Sequence, residues 1–507
     1  MTQFQAQRPI VYQINTRVWL NTLSAQYGRP IHLGNIPQEV IDELASYHVN
    51  FVWLMGIWHR GEKCRQSALN YIHEYRVPLP DVTPADVVGS AYAIGGYYID
   101  KDLGGKRGLE TFRRQILAHG MRLMLDFVPN HVGLDHPWLT EHPEYFVQGT
   151  PELLQKDRGN FFSVKTANGS TVAIAHGRDP NFPGWIDTAQ LNIFNPELRA
   201  AVIDTLTEIA TMCDAVRCDM AMLMVDEVFL RTWGWRGLKP LPQQYWREVI
   251  PAIKSQYPDF LFVAEVYWHM EYELLQQGFD YTYDKTLYDH ALKHNYDGVY
   301  YHFKAELAFL ERNIRFIENH DEPRAAASFG VERSKVFATL ILTVPGAVLL
   351  HDGQFVGRKV KLPVQITRQP QEPLDQSLAA FYRTLLAEAS DPLYRHGRWQ
   401  LFERSNVAGS TTYRQVLAYG WQHQNELRLI VLNMGEAPAA ATINLGALMD
   451  AHAGCSLILR DVLNKRTLEM AVDDLLNGWV VQLAGNQASI YHVTLVTADQ
   501  AAALAAV

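Results

Sequence analysis

Asp219, Glu265 and Asp321 each follow a short apolar run, in VRCDM, FVAEVYW and FIENHDEPR, and they occur in the chain order Asp, Glu, Asp. Three carboxylates delivered by three strands suit glycosidic-bond chemistry: one attacks the anomeric carbon, one gives and retakes a proton, one stabilises positive charge on the sugar ring. Arg217 lies two residues before Asp219, so on a strand the two side chains share a face and the guanidinium can hold the carboxylate ionised as a nucleophile. Glu265 follows the apolar stretch FLFVA, where burial beside other carboxylates predicts a raised pKa and general acid/base work. Asp321 is left to stabilise charge. Each group alone also fits a plainer role, as an ion pair, a helix cap or turn chemistry. Their shared place at the ends of different strands favours catalysis.

The elements that must position them alternate along the chain. Apolar runs at 10–14, 51–55, 121–128, 215–219, 260–266, 279–283, 314–318 and 347–351 predict eight strands, separated by amphipathic stretches such as PELRAAVIDTLTEIATM at 196–212. Eight strand–helix repeats predict an α/β fold, a closed (β/α)8 TIM barrel, with an open sheet as the alternative. Two regions break the rhythm. Residues 132–195, rich in His, Pro, Gly and Asn, exceed an ordinary loop and read as a domain inserted after strand 3 that overhangs the barrel mouth. After 389 the helical period gives way to strand-like runs, predicting a C-terminal antiparallel β-sandwich domain. The expected division is barrel 1–131 and 196–388, insertion 132–195 and C-terminal domain 389–507.

Composition bounds the partners. The 507 residues carry a net charge of -9 with no basic stripe, which argues against nucleic acid or a membrane surface and fits a neutral or small substrate, taken with the carboxylate chemistry as a small carbohydrate. Cys64, Cys213, Cys218 and Cys455 form no CxxC pair, so they read as reduced, and the start MTQFQAQRPIVYQ lacks an apolar leader. A cytoplasmic location is expected. The oligomeric state stays open.

These motifs resemble those of the α-amylase family of retaining glycoside hydrolases and transglycosidases, glycoside hydrolase family 13. DFVPNH at 126–131, VRCDM at 216–220, VAEVYW at 263–268 and ENHDEP at 318–323 match its four motifs in order and spacing, and the resemblance covers essentially the whole chain. It implies Asp219 as nucleophile, Glu265 as acid/base and Asp321 as transition-state stabiliser, in agreement with the roles read from the residues. It also implies His131 and His320 as donors to hydroxyls of the sugar beside the nucleophile, and Arg217 as the nucleophile's partner. Asp126 would buttress Arg217 and the Asn130 loop. Tyr97, in GSAYAIGGYYIDKDLGG, falls where the family stacks an aromatic under that sugar.

Departures from the family pattern bear on substrate. Met222 and Leu223 stand where many polymer-cleaving members have a Lys-His pair. TAQLN at 188–192 resembles a fifth motif, but Gln190 replaces the usual calcium-ligating Asp, and a neutral amide is a poorer ligand for a hard cation. No metal and no cofactor are therefore expected, although Asn130 is kept. HDEPR is similar to HDQPR of the oligo-1,6-glucosidase branch, which puts Arg324 on the acceptor side. Among Trp138, Trp185, Trp233, Trp235 and Trp268, the last is the expected sugar platform. The expected function is a retaining α-glycoside hydrolase acting on short α-glucosides or malto-oligosaccharides by double displacement through a β-glycosyl-Asp219 intermediate, its two working carboxyls about 5 to 5.5 Å apart. A glucosyl or maltosyl transferase with the same carboxylates is the alternative. A non-catalytic amylase-like scaffold fits less well, because the carboxylate set is complete.

Overall fold

The computed structural model of the chain describes residues 8–445, 455–475 and 478–496. Eight parallel strands close into a barrel: β1 (Ile10–Asn15), β2 (Phe51–Met55), β3 (Arg122–Phe127), β4 (Ala215–Cys218), β5 (Leu261–Ala264), β6 (Tyr281–Tyr283), β7 (Asn313–Arg315) and β8 (Ala347–His351). Each pairs with its neighbours in sequence and β8 pairs with β1, so the open sheet is ruled out. β2 and β8 are buried along their whole length, which is why these runs read as continuous apolar stretches and do not alternate.

Most of the strands are shorter than the predicted runs, and one falls shortest at its C-terminal end. β7 stops at Arg315, short of the predicted 318, and Asp321 sits on a turn beyond it. The reason is local: Asn319 Oδ1 accepts from the amides of Asp321 and Glu322, at 2.8 and 3.0 Å, so side chain and backbone bond to each other instead of extending the ladder.

The helix Pro196–Met212 shows how the outer layer is specified. Asn195 caps it by accepting from Glu197 N and Leu198 N at 2.8 and 3.0 Å, Pro196 opens it, and Leu198, Val202, Leu206 and Ile209 form its buried stripe. Between β3 and that helix the chain makes an excursion that leaves and returns on one small ladder. His131–Gly133 pairs antiparallel with Thr188–Gln190, and a hairpin, Phe161–Lys165 with Thr171–Ala175, lies between. The ladder brings His131 opposite Gln190. Gly177 packs over this point, where a Cβ would come within 2.7 Å of the His131 Cβ, so only glycine permits the approach.

Among the described residues the C-terminal domain is a sandwich of a six-stranded and a three-stranded antiparallel sheet. Strand Val416–His423 is buried on both faces: Val416 and Ala418 join the sandwich core, while Leu417, Tyr419 and Trp421 join the core of the barrel. Residues 446–454, 476–477 and 497–507 of the predicted domain lie outside the described residues. Among the described residues no helix is long and apolar enough to cross a membrane.

Candidate active site

Asp219 and Glu265 are the first residues after β4 and β5, so the barrel aims both at its C-terminal mouth. Arg217, on β4, joins all three carboxylates. Its Nη1 donates to Asp219 Oδ1 at 2.7 Å, and its Nη2 lies 2.8 Å from Glu265 Oε2 and 3.7 Å from Asp321 Oδ2. The guanidinium is walled by the rings of Tyr92, Trp53 and Tyr283, 5.0, 5.5 and 5.8 Å from their centroids, which keeps water off the charge and strengthens its pull. Asp219 and Glu265 are nearly sealed, with side chains 8% and 4% exposed, whereas Asp321 is 39% exposed at the rim.

Glu265 is held at both oxygens. Oε2 accepts from Met220 N at 2.6 Å and Oε1 from the Tyr267 hydroxyl at 2.8 Å. Burial nevertheless pushes its pKa up to about 8, against the pull of Arg217 and with help from Asp219 and Asp321, so it holds a proton at neutral pH. The backbone around these groups is strained: Met220, Trp268 and His269 have φ of 42°, 63° and 59°, a left-handed conformation that bulky residues avoid. All three follow closely on Asp219 or Glu265.

His131 and His320 are buried and held neutral, because burial lowers both pKa values. Each turns Nδ1 toward an amide nitrogen: Asn130 Nδ2 at 3.2 Å for His131, Gln13 Nε2 at 2.6 Å for His320. An amide donor at Nδ1 leaves the proton on Nε2, the tautomer that can donate to a sugar hydroxyl. His320 Nε2 lies 3.0 Å from Asp321 Oδ2 and 2.7 Å from the Tyr92 hydroxyl.

Here the structure corrects one expectation. Tyr97 is bonded to the backbone of Val128, accepting from its amide at 3.0 Å, and its ring packs on Trp58 and Phe127. The ring beside the carboxylates is Tyr92, five residues earlier, stacked on His320 at 5.3 Å. Sequence reasoning missed it because both tyrosines lie in one Gly-rich stretch with no register to separate them. It missed Gln13 and Tyr267 too, though each carried a signal: a lone polar residue in the apolar run IVYQI, and a tyrosine inside the third motif.

Asp126 accepts from Trp53 Nε1 at 3.1 Å and Gly56 N at 2.8 Å, so it braces the β2 end directly, and it stands opposite Arg217 in register, within reach of that charge. Burial raises it to about 7, opposed by Arg217. The Asn130 loop is held instead by Gln190. The Gln190 Nε2 donates to Asn130 O and Oδ1, both at 2.9 Å, and approaches Leu191 O at 3.2 Å, while its Oε1 accepts from Arg178 N at 3.2 Å. A donor thus sits among oxygens that would otherwise face a cation. As oriented, the Gln190 amide turns its nitrogen and not an oxygen toward them, a poorer fit to calcium than a carboxylate in its place.

Arg324 is also corrected. It is 4% exposed, and its Nη1 is taken by Glu318 Oε1 and Asp352 O, both at 2.7 Å, so its charge is spent within a narrow cleft that it lines with Asn319, His320 and Lys361 and does not face an open acceptor side. Met222 and Leu223, in the turn Ala221–Met224, are buried in the hydrophobic core. Trp233 is core, Trp138 and Trp185 pack partly buried in the insertion, Trp235 lies exposed, and Trp268 is 39% exposed on its strained turn.

Comparison with known proteins adds a family. Residues 67–418, more than half of the chain, match the Alpha amylase, catalytic domain. The chain is 24% identical to Alpha-amylase MalA of Haloarcula japonica over 75% of its length, spanning 53% of that relative, and 24% identical to Alpha-amylase 3 of Dictyoglomus thermophilum over 68%, spanning 74% of it. Its fold is shared with the noncanonic maltogenic alpha-amylase AmyB from Thermotoga neapolitana, with a TM-score of 0.68, 20% identity and coverage of 96% and 99% of the two chains.

Proposed function

The chain belongs to the alpha-amylase family, and on that premise we propose that it is a retaining α-glycosidase acting on short α-glucosides or malto-oligosaccharides by double displacement. The observation that carries this reading is Arg217 holding Asp219 and Glu265 at its two terminal nitrogens, with Asp321 beside them. Asp219, paired with the guanidinium, attacks the anomeric carbon. The protonated Glu265 gives its proton to the departing oxygen, and a β-glycosyl ester forms on Asp219. Glu265, now ionised, takes a proton from water or an acceptor hydroxyl. That oxygen attacks the anomeric carbon, the ester breaks and the α-configuration is restored. Asp321, with His320, faces the ring where positive charge develops.

Short substrates are favoured by the buried Met222 and Leu223, which offer no polar acceptor contacts, and by the half-open Trp268. The same ester serves transfer as well as hydrolysis. No metal takes part in this reading. The test is incubation with maltose, isomaltose, trehalose, sucrose, glucosylglycerol, maltodextrin and maltose 1-phosphate, with and without acceptors, followed by chromatography. Release of free α-glucose from the short substrates is expected. Longer products would favour a transferase, and inertness toward the whole panel would overturn the reading.

A further inference from the structure

Resting on the assignment of Glu265 as acid/base, we propose that Tyr267 is its positioning residue: the Tyr267 hydroxyl occupies one lone pair of Oε1 and leaves a single place from which the carboxyl gives and retakes its proton. A carboxylate offers about four lone-pair positions. At Oε2 one is taken by Met220 N at 2.6 Å, and the Arg217 Nη2 lies 2.8 Å away as an ion pair without a hydrogen bond, its positive charge disfavouring a proton on that oxygen. At Oε1 the Tyr267 hydroxyl takes another at 2.8 Å. The remaining one on Oε1 is the position for the transferable proton.

The contact is local. Tyr267 is only two residues from Glu265, and the left-handed Trp268 and His269 that follow it, with φ of 63° and 59°, end any extended run there. The Tyr267 hydroxyl remains a donor, because burial, Glu265 and Asp321 all hold its proton on. The other groups facing Glu265 come from every neighbouring element: Arg217 and Asp219 from the β4 end, Tyr283 from β6 and Asp321 from the turn after β7. Tyr267 is the one among them that both touches Oε1 and is free of any other ion pair among the described residues.

Tyr267→Phe removes a donor that favours the ionised carboxylate, so Glu265 should keep its proton to higher pH. The expected result is an upward move of the basic limb of kcat/KM by about one pH unit, with the plateau lowered by no more than about tenfold. With α-glucosyl fluoride, whose leaving group needs no proton, the limb and its displacement should both vanish. An unchanged or downward-moving limb overturns the proposal. Glu265→Gln, measured alongside, separates the two claims: if it cleaves unactivated glucosides as fast as the parent, the acid/base assignment itself is wrong. If it spares only the fluoride while Tyr267→Phe leaves the limb in place, the assignment stands and Tyr267 has no positioning role. Should Tyr267→Phe be too slow to profile, the pH dependence of the Glu265 C=O stretch in difference infrared spectra, referenced to Glu265→Gln, gives the same shift directly.

Discussion

Two arginines at the same end of the barrel each hold a buried glutamate, and they do opposite things. Around Arg324 the charges balance. Glu318 takes Arg324 Nη1 on Oε1 at 2.7 Å and Ala325 N on Oε2 at 2.8 Å, with His351 Nδ1 at 3.3 Å. Burial alone would raise Glu318, yet Arg324 and His351 overcome it and its pKa falls. Around Arg217 three carboxylates share one cation, burial wins, and Glu265 rises to about 8. The same residue types make a structural clamp in one place and a proton donor in the other. The count of negative groups per guanidinium decides which.

Removing charge from the crowded cluster should cost rate and not fold. Asp219→Asn is expected to lower turnover by at least about four orders of magnitude with little change in Tm. Wild-type-like turnover would break the contrast at its root. Glu265→Gln should lose about 10²- to 10⁴-fold in rate on unactivated substrates. Its stability carries a sign: a folded pKa of about 8 against an ordinary 4.5 means that stability is full below the lower value and drains away as pH rises to the upper. The variant escapes that loss, so its Tm relative to the parent should climb across this interval; a flat difference would contradict a protonated Glu265.

The balanced cluster should answer the other way. Arg324→Met leaves Glu318 buried without its partner and should cost about 3 to 5 kcal/mol in denaturant unfolding, with KM nearly unchanged. A rise in KM without loss of stability would return Arg324 to the substrate. Gln190→Asp tests the wholly neutral version of such a clamp: the carboxylate would face Asn130 and Leu191 oxygens and cost about 3 kcal/mol, recoverable with calcium, while chelation leaves the parent Tm unmoved. A parent that melts earlier in chelator would show that a cation belongs there after all. Smallest is Trp268→Ala, expected to raise KM about threefold to tenfold with kcat held; no change would leave that strained ring without a ligand.

Most of the frame was legible because it depends on short-range patterns. Both-face burial writes each barrel strand as an apolar run, and Asn195 followed by Pro196 announces a helix whose ends match the predicted 196–212. The carboxylates stood out for the same reason, as charges at the ends of such runs. What escaped depends on long-range contacts. Gln13 meets His320 across 307 positions, and Tyr92 across 228, so nothing near either residue announces the bond. Arg324 was misplaced because its motif records which residue is present and not whether Glu318 has already claimed it.

Strand Val416–His423, packed on the sandwich through one set of side chains and on the barrel through the other, makes the two domains one melting unit. Trp421 Nε1 donates to Thr343 O at 2.6 Å, and the Tyr419 and Thr343 hydroxyls bond at 2.6 Å, so the seam is pinned by polar contacts as well as by shared core. A barrel truncated before Val416 would open that seam to water and aggregate, and the sandwich is no detachable appendage that could be grafted onto another enzyme. Calorimetry should therefore register a single transition for the whole chain.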